Sequence, residues 1–254
     1  MNSIATLGSH CALQVLKGAK DEGLKTVLVC EKKREGLYKR FRFIDEFIIV
    51  NSFKEILDKN CQDKLQQNKS MLIPHGTLIA QMNSKEIESI NVPIFGNKWI
   101  LRWESDRKLK DKLMQESSLR VPKTISDPKD IQSLTIAKRH GAAGGKGYFM
   151  TTNYDDYKKK RDKLISQGII NGDSDLYLQE YISGVLAYLQ FFYSPLNEEL
   201  EFFGVDKRHE SDIEGLARIP AEDQKGLDHV PSFNVIANSP LVLRESLLDE
   251  VYSM

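Results

Sequence analysis

The sequence predicts an α/β protein whose first part is a parallel sheet covered on both faces. Three observations point there. Short apolar runs, IATL (4–7), TVLVC (26–30), FIIV (47–50), MLIP (71–74) and VPIF (92–95), alternate with stretches of helical period. The runs are continuous rather than alternating with polar residues, as expected of strands buried on both sides. The pattern then changes near residue 100, and a chain of 254 residues is long for one domain of about 150.

In chain order, Ile4–Leu7 is the first strand and Gly8-Ser9-His10 a turn. A helix is expected from about Cys11 to Glu22, with Ser9 as its N-cap and Gly23 as its end. Ala12, Val15, Leu16 and Ala19 share one face of it. A second helix, about 53–67, buries Phe53, Ile56, Leu57, Cys61 and Leu65. A charged helix follows at about 105–118. Then LTIAK (134–138) and YFMT (148–151) read as strands joined by a glycine-rich segment, followed by a polar helix (about 154–166) and the strand LYLQEYI (176–182). Residues 185–206 read as a hairpin turning at 195–198, 207–231 as irregular, and FNVIA (233–237) as a strand before a helix near Leu243. The expected divisions are 1–100, an N-terminal α/β unit; 101–184, a small α+β unit; and 185–254, the start of a larger one.

Lys+Arg and Asp+Glu are both 36, so the formal net charge is 0. That excludes a generally basic nucleic-acid binder, and no basic–aromatic stripe suggests one. No apolar run approaches the roughly 18 residues of a membrane helix. Cys11, Cys30 and Cys61 lack metal-ligand spacing and read as reduced thiols. The start MNSIATLGSH lacks a basic segment followed by an apolar one, so no secretory signal and a cytoplasmic location are expected.

Four segments carry candidate chemistry. In KRHGAAGGKGYF (138–149), Gly141, Gly144, Gly145 and Gly147 lie between two strands, with Lys138 before them and Lys146 among them. Glycines let successive N–H groups approach phosphate oxygens. The spacing is neither a Walker A loop nor a dinucleotide turn. It suits the strand–loop–strand flap by which ATP-grasp enzymes cover phosphates, or a surface hairpin. In QEYISG (179–184), a strand ending at Glu180 and running through Tyr181 and Ile182 can serve as a hinge whose backbone meets an adenine edge. The Gly8-Ser9-His10 turn can present N–H groups to an anion, and His75-Gly76-Thr77 ends a parallel strand in a similar way. The mixed-charge run 206–224 includes Glu210 and Arg218; it suits either a solvated loop or a site for a metal nucleotide and an anionic substrate. Trp99 and Trp103 read as packing residues.

Together these segments resemble the archaeal 5-formaminoimidazole-4-carboxamide ribonucleotide synthetases, the PurP family of the ATP-grasp superfamily. The stretches that carry the resemblance are IATLGSHCALQVLKGAKDEG, YKRFRFIDEFIIV, IPHGTLIA, VPIFGNKWILRWESDRKL, GAAGGKGYF, QEYISG, FFYSPLNEELEFFGVDKRHES, GLARIPAEDQ and SPLVLRESLL. They span essentially the whole chain, and FGNKWILRWESDR and FYSPLNEELE are the most specific. The resemblance implies an ATP-grasp fold with an N-terminal parallel-sheet domain. It implies an ATP-dependent carbon–nitrogen ligase that joins formate to 5-aminoimidazole-4-carboxamide ribonucleotide (AICAR). The products are the formamido nucleotide FAICAR, ADP and phosphate, in folate-independent purine synthesis.

By the same resemblance His10, Ser9, Thr77, Asn238 and Arg218 contact the ribonucleotide, Thr77 keeping the hydroxyl of the serine usual at its position. Lys138, the flap glycines with Lys146, the 180–182 hinge and Glu210 contact ATP. ATP with Mg²⁺ (or Mn²⁺) is the implied cofactor set, and a homo-oligomer is implied. Formate acylates poorly until its oxygen becomes a leaving group, so attack on the γ-phosphorus would give formyl phosphate, and the 5-amino group would then displace phosphate. In the family the metal carboxylates follow RESLL (244–248). The chain ends at Met254, which places the expected metal ligands beyond it, reads as an ATP-grasp fold incomplete at the C-terminus, and leads to an expectation of poor turnover. An ATP-grasp ligase for another acid and amine pair, or a non-catalytic nucleotide binder, are the alternatives.

Overall fold

The computed structural model describes residues 2–140, 147–225, 227 and 235–253. Two compact units divide the chain, Met1–Leu113 and Met114–Met254.

The first unit is built on a four-stranded parallel sheet in the order β3-β2-β1-β4. Its strands are β1 (Ser3–Leu7), β2 (Lys25–Glu31), β3 (Glu46–Val50) and β4 (Ser70–Leu72). The period-2 geometry of a strand explains why the apolar runs are unbroken. Val27 and Val29 join Ala5, Leu7, Ile48, Ile56 and Leu65 in one core. The intervening Leu28 and Cys30 join Ala12, Leu16, Tyr38 and Ile44 in a second core on the other face. After β3 the chain returns to the far side of β1 to form β4, so the strand order reverses between β1 and β4. In open parallel sheets that reversal opens a crevice at the carboxyl ends of the two strands.

The helix Ala12–Asp21 buries Ala12, Leu16 and Ala19. Gly23, at φ +75°, ends it: Leu24 N–H reaches Ala19 O and Gly23 N–H reaches Lys20 O, which closes the helix end as a Schellman turn. Ser9 is not its side-chain cap. Cys11 occupies that place, and Ser9 contributes its carbonyl to Ala12 N–H at 2.9 Å.

Three other expectations need correction in this unit. The helix over 53–67 is interrupted: Phe53–Leu57 is a 3-10 turn, Asp58 is extended, and the α-helix is Lys59–Gln67. A Ser52–Glu55 capping box satisfies the free N–H groups of the first piece, so a separate start is favoured there. VPIF is no strand; Ile94 makes a single parallel bridge to Leu72, because Pro93 has no N–H to donate. Trp99 is more than half exposed rather than packed.

The second unit holds two antiparallel sheets. One has the order β5-β8-β6-β7, with β5 Thr124–Ile125, β6 Thr135–Arg139, β7 Phe149–Thr151 and β8 Leu176–Glu180. The helix Tyr154–Ser166 packs on it through Tyr157, capped by Asn153, whose side chain accepts from Asp156 N–H at 2.9 Å. The other sheet is β11-β10-β9, with β9 Tyr188–Ser194, β10 Glu199–Glu210 and β11 Val235–Leu241. The hairpin turn falls at Pro195–Glu198 as the turn residues require, with Glu198 at φ +56°.

The β8 strand ends at Glu180 rather than Ile182, although Tyr181 N–H still reaches Leu134 O at 2.9 Å. Residues 207–210 are not irregular but continue β10, and short helices follow at Ile213–Leu216 and Ala221–Gln224. Mixed charge hid these elements: their side chains are solvated, so no apolar period marks them. No helix among the described residues is long and apolar enough to cross a membrane.

Leu65 is fully buried against the first core. Leu65→Ala is expected to lower unfolding stability by about 2–5 kcal/mol, read as a shift of the urea midpoint. A loss below about 1 kcal/mol would mean that the Lys59–Gln67 helix does not hold that core together.

Candidate functional site

A cavity of about 290 Å³ opens where the order of the parallel strands reverses. It is lined by Ser9 and His10 after β1, Glu31, Lys33 and Arg34 at the end of β2, Phe53, and Thr77, Ala80 and Gln81 after β4. Its size is close to the lower bound of roughly 300 Å³ for small-molecule pockets.

The ends of β1 and β4 are tied by His75. Its Nε2 lies 2.9 Å from Leu7 O, and its Nδ1 lies 3.3 Å from Thr77 N. A carbonyl only accepts and a backbone N–H only donates, so the ring must be neutral, with the proton on Nε2. Burial accordingly pushes its pKa below the ordinary histidine value of 6.5. The His10 ring meets the His75 ring edge-on, with centroids 6.0 Å apart. His10 itself has φ +39°, and Cys11 follows at φ −87°, ψ 18°.

Thr77 is 4% exposed, and its hydroxyl has no hydrogen-bond partner among the described residues. Its N–H is engaged by His75 at 3.3 Å. Across from it, Arg34 lies 5.8 Å above the Phe53 ring. Arg34 Nε is 3.3 Å from Glu31, and Nη1 is 3.4 Å from both Gly8 O and Ser9 Oγ. Glu31 is buried and also meets Lys33 at 3.1 Å. Two cations against one carboxylate leave this wall positive.

In the second unit Lys138, on β6, donates to Gln179 Oε1 on β8 at 2.9 Å. Behind it Gln179 Nε2 is 3.4 Å from Tyr177 Oη, which is 2.7 Å from Thr124 Oγ1. Glu180 accepts Lys123 N–H through Oε1 at 2.9 Å, so one of its oxygens braces β5. Tyr181 and Ile182 follow, both exposed. Gly141, Gly144, Gly145 and Lys146 lie outside the described residues. Gly147 is described, at φ +82°, where an added Cβ would stand 2.9 Å from Arg139 Cδ.

On the other sheet Glu210 sits at a bulge between β10 and β11. Burial raises its pKa; Arg208 opposes and Glu214 reinforces that shift. Asn238 pairs with Arg208 in the ladder and is exposed, and Arg218 is exposed beyond Ile213–Leu216. Next to Glu210, His209 bridges Glu214 and Ser239, each at 2.8 Å.

Of the residues singled out in the sequence, Ser9, His10 and Thr77 therefore meet in one cavity. Lys138 and Glu180 lie on adjoining β6 and β8, and Glu210 and Asn238 lie on the paired β10 and β11. Glu31, Lys33, Arg34 and Gln81 were missed. The available signal was CEKKRE (30–35), a charge cluster placed where a buried strand ends. Gln179 and His209 were missed because strand pairing, not spacing, brings them to their partners.

Comparison with known proteins gives the lineage. A family described as "Protein of unknown function (DUF1246)" matches residues 4–125, and "Domain of unknown function (DUF1297)" matches residues 156–254. The chain is 72% identical over 254 residues to the 5-formaminoimidazole-4-carboxamide-1-(beta)-D-ribofuranosyl 5'-monophosphate synthetase of Nitrosopumilus maritimus, covering 100% of this chain and 74% of that protein. The crystal structure of an IMP biosynthesis protein PurP from Thermococcus kodakaraensis superposes with a TM-score of 0.72 at 27% identity, over 98% of this chain and 71% of that one. N5-carboxyaminoimidazole synthetase from Staphylococcus aureus, complexed with ADP, shares the fold at TM-score 0.62 and 14% identity, over 88% and 60%. Identity of this degree over the whole chain, on the same ATP-grasp architecture, settles kinship: the chain belongs to the family of 5-formaminoimidazole-4-carboxamide ribonucleotide synthetases.

Proposed function

We propose that the chain is an ATP-dependent carbon–nitrogen ligase that formylates AICAR to FAICAR with formate, in purine biosynthesis. The observation that carries this reading is the cavity at the β1–β4 reversal, lined by Ser9, His10 and Thr77. This cavity takes the ribonucleotide, with Ser9 beside it; Asn238 and Arg218 are further contacts. The second unit takes ATP, which activates formate as its acyl phosphate. Residues 101–184 and 185–254 are then the two ATP-grasp lobes.

The chain's own groups divide the work. Lys138, steadied by Gln179, offers a fixed ammonium to phosphate oxygens. The 180–182 segment meets adenine, Glu210 faces the nucleotide, and Gly141, Gly144, Gly145, Lys146 and Gly147 cover the phosphates. Formyl phosphate is prone to hydrolysis, so the cover must exclude water and the amine must already be bound. Among the described residues no group of three or more His, Cys, Asp or Glu side chains could hold a metal ion. Assembly as a homo-oligomer belongs to the same reading.

The direct test is ADP release by the purified chain with ATP and Mg²⁺. Release is expected only when formate and AICAR are both present. Release that ignores formate, or that proceeds with bicarbonate instead, would point to another acid.

Thr77→Val is expected to act in opposite directions on stability and binding. Removing a buried hydroxyl without a partner should stabilise the free protein by about 1 kcal/mol, while AICAR affinity falls about tenfold. Denaturation and calorimetric titration read the two effects separately.

His75 gives a pH dependence with a fixed sign. Its folded-state pKa lies below its unfolded value. It therefore contributes stability that is full above the unfolded pKa of about 6.5 and is lost as pH falls through the folded value. Urea midpoints taken between pH 7.5 and 5 should decline, and His75→Gln should decline less steeply. Equal slopes would show that the imidazole does not titrate in this way.

A further inference from the structure

We propose that His209 is a positioning residue for Glu210: by joining β10, β11 and the helix Ile213–Leu216 at the bulge, it sets the carboxylate that the ligase reading assigns to the nucleotide. The proposal rests on that reading and adds a residue that acts on the nucleotide only through Glu210.

The bulge leaves Glu210 poorly held by the ladder itself. The register runs evenly from Val205 opposite Leu241 to His209 opposite Ala237, then skips Ile236, so that Glu210 pairs with Val235. Glu210 is the last residue of β10 and Val235 the first of β11. Among the described residues a single rung therefore follows the bulge. A bulge bends its strand and re-aims the side chains beside it, and one rung is too little to fix where Glu210 goes.

His209 is the last residue before that irregularity, and its ring makes two contacts that the ladder does not. Nε2 lies 2.8 Å from Ser239 Oγ, and Nδ1 lies 2.8 Å from Glu214 Oε2. Ser239 stands diagonally across, two residues along from the Ala237 that pairs with His209. Glu214 belongs to Ile213–Leu216, beyond the end of β10. One flat ring thus pins three elements around Glu210. Lys207, two residues earlier and so on the same face, holds the other Glu214 oxygen at 3.2 Å.

The charges agree with this arrangement. Hydrogen bonds from His209 and from Lys207 hold the Glu214 carboxyl below the ordinary carboxylate range. Glu214 is then an anion at neutral pH and accepts the Nδ1 proton of His209. Glu214 is also felt at Glu210, whose pKa it raises together with burial. Without His209, Glu214 is free to move, and the field at Glu210 moves with it. The side chains of His209 and Glu214 are 32% and 37% exposed, so their pairing contributes little to the stability of the whole fold. Asn238 stands opposite Arg208, before the bulge, where the ladder is regular.

Calorimetric titration of the full chain with ATP and Mg²⁺, and separately with AICAR, tests this on wild type, His209→Leu, Glu210→Gln and the double variant. His209→Leu should weaken ATP binding about tenfold, leave AICAR affinity unchanged and move the urea midpoint little. Because His209 acts through Glu210, the double variant should bind ATP no more weakly than Glu210→Gln alone. Two rescues separate the arms: an asparagine amide sits near the place of Nδ1 and keeps Glu214, while a glutamine amide sits near Nε2 and keeps Ser239. His209→Asn and His209→Gln should each recover part of the loss. If His209→Leu does not fold, Ser239→Ala takes its place in the cycle. Additive losses in the double variant would overturn the proposal, as would wild-type ATP affinity in His209→Leu while Glu210→Gln binds weakly. Equal loss of ATP and AICAR would overturn it too, since that marks a general loss of structure. If Glu210→Gln binds ATP as well as wild type, or wild type takes up no ATP, the nucleotide reading of Glu210 falls and the proposal with it.

Discussion

A single neutral imidazole holds the first unit's site together. His75 donates from Nε2 to the last carbonyl of β1 and accepts at Nδ1 from the N–H of Thr77. The two strand ends on either side of the topological reversal are thereby fixed to each other through one rigid ring. Parallel strands alone would not do this, because their ladder ends where the chains turn away. With the ring protonated, Nδ1 could no longer accept, and the Thr77 turn would lose its anchor. The depressed pKa and the geometry point the same way: burial penalises the charged form, and the Thr77 N–H at Nδ1 suits only the neutral ring, while the Leu7 carbonyl at Nε2 opposes the shift without reversing it.

The second unit solves a related problem with a chain of uncharged groups. Thr124, Tyr177 and Gln179 stand in line behind Lys138. An ammonium is compact and sits on a flexible stem, so its position is set by whatever accepts from it. Gln179 is a neutral acceptor and holds the Lys138 ammonium through a 2.9 Å hydrogen bond. A carboxylate at that place would have formed an ion pair and weakened the attraction for phosphate. The contrast with Arg34 is instructive: there Glu31 does neutralise part of the charge, and the surplus comes from Lys33.

Most of the fold was legible because burial writes itself into the sequence with a fixed period. The runs at 26–30 and 47–50 became β2 and β3, and Gly23 and the Pro195–Glu198 turn ended elements where expected. What failed was what period does not encode. Asp58 breaks a helix whose apolar spacing continues through it. The VPIF run is apolar and β-branched, yet Pro93 removes the donor a strand needs. Residues 207–210 form a strand without alternating burial. The site divides along the same line. His10 and Thr77 could be placed together, because strand ends in a parallel sheet share an edge. Arg34 could not, since its part depends on a 3.4 Å approach to Ser9 that only the folded register creates.

The charge balance of the whole chain conceals this arrangement. Equal numbers of acidic and basic residues leave the chain with no net charge to attract an anion. Selectivity must then come from local geometry, and the cavity shows how. Glu31 meets both Arg34 and Lys33 on one wall, and the Thr77 hydroxyl is buried without a partner among the described residues. Folding could have met that hydroxyl with an internal acceptor and gained stability. As the fold stands, any acceptor from outside would have to displace the atoms that now cover this hydroxyl.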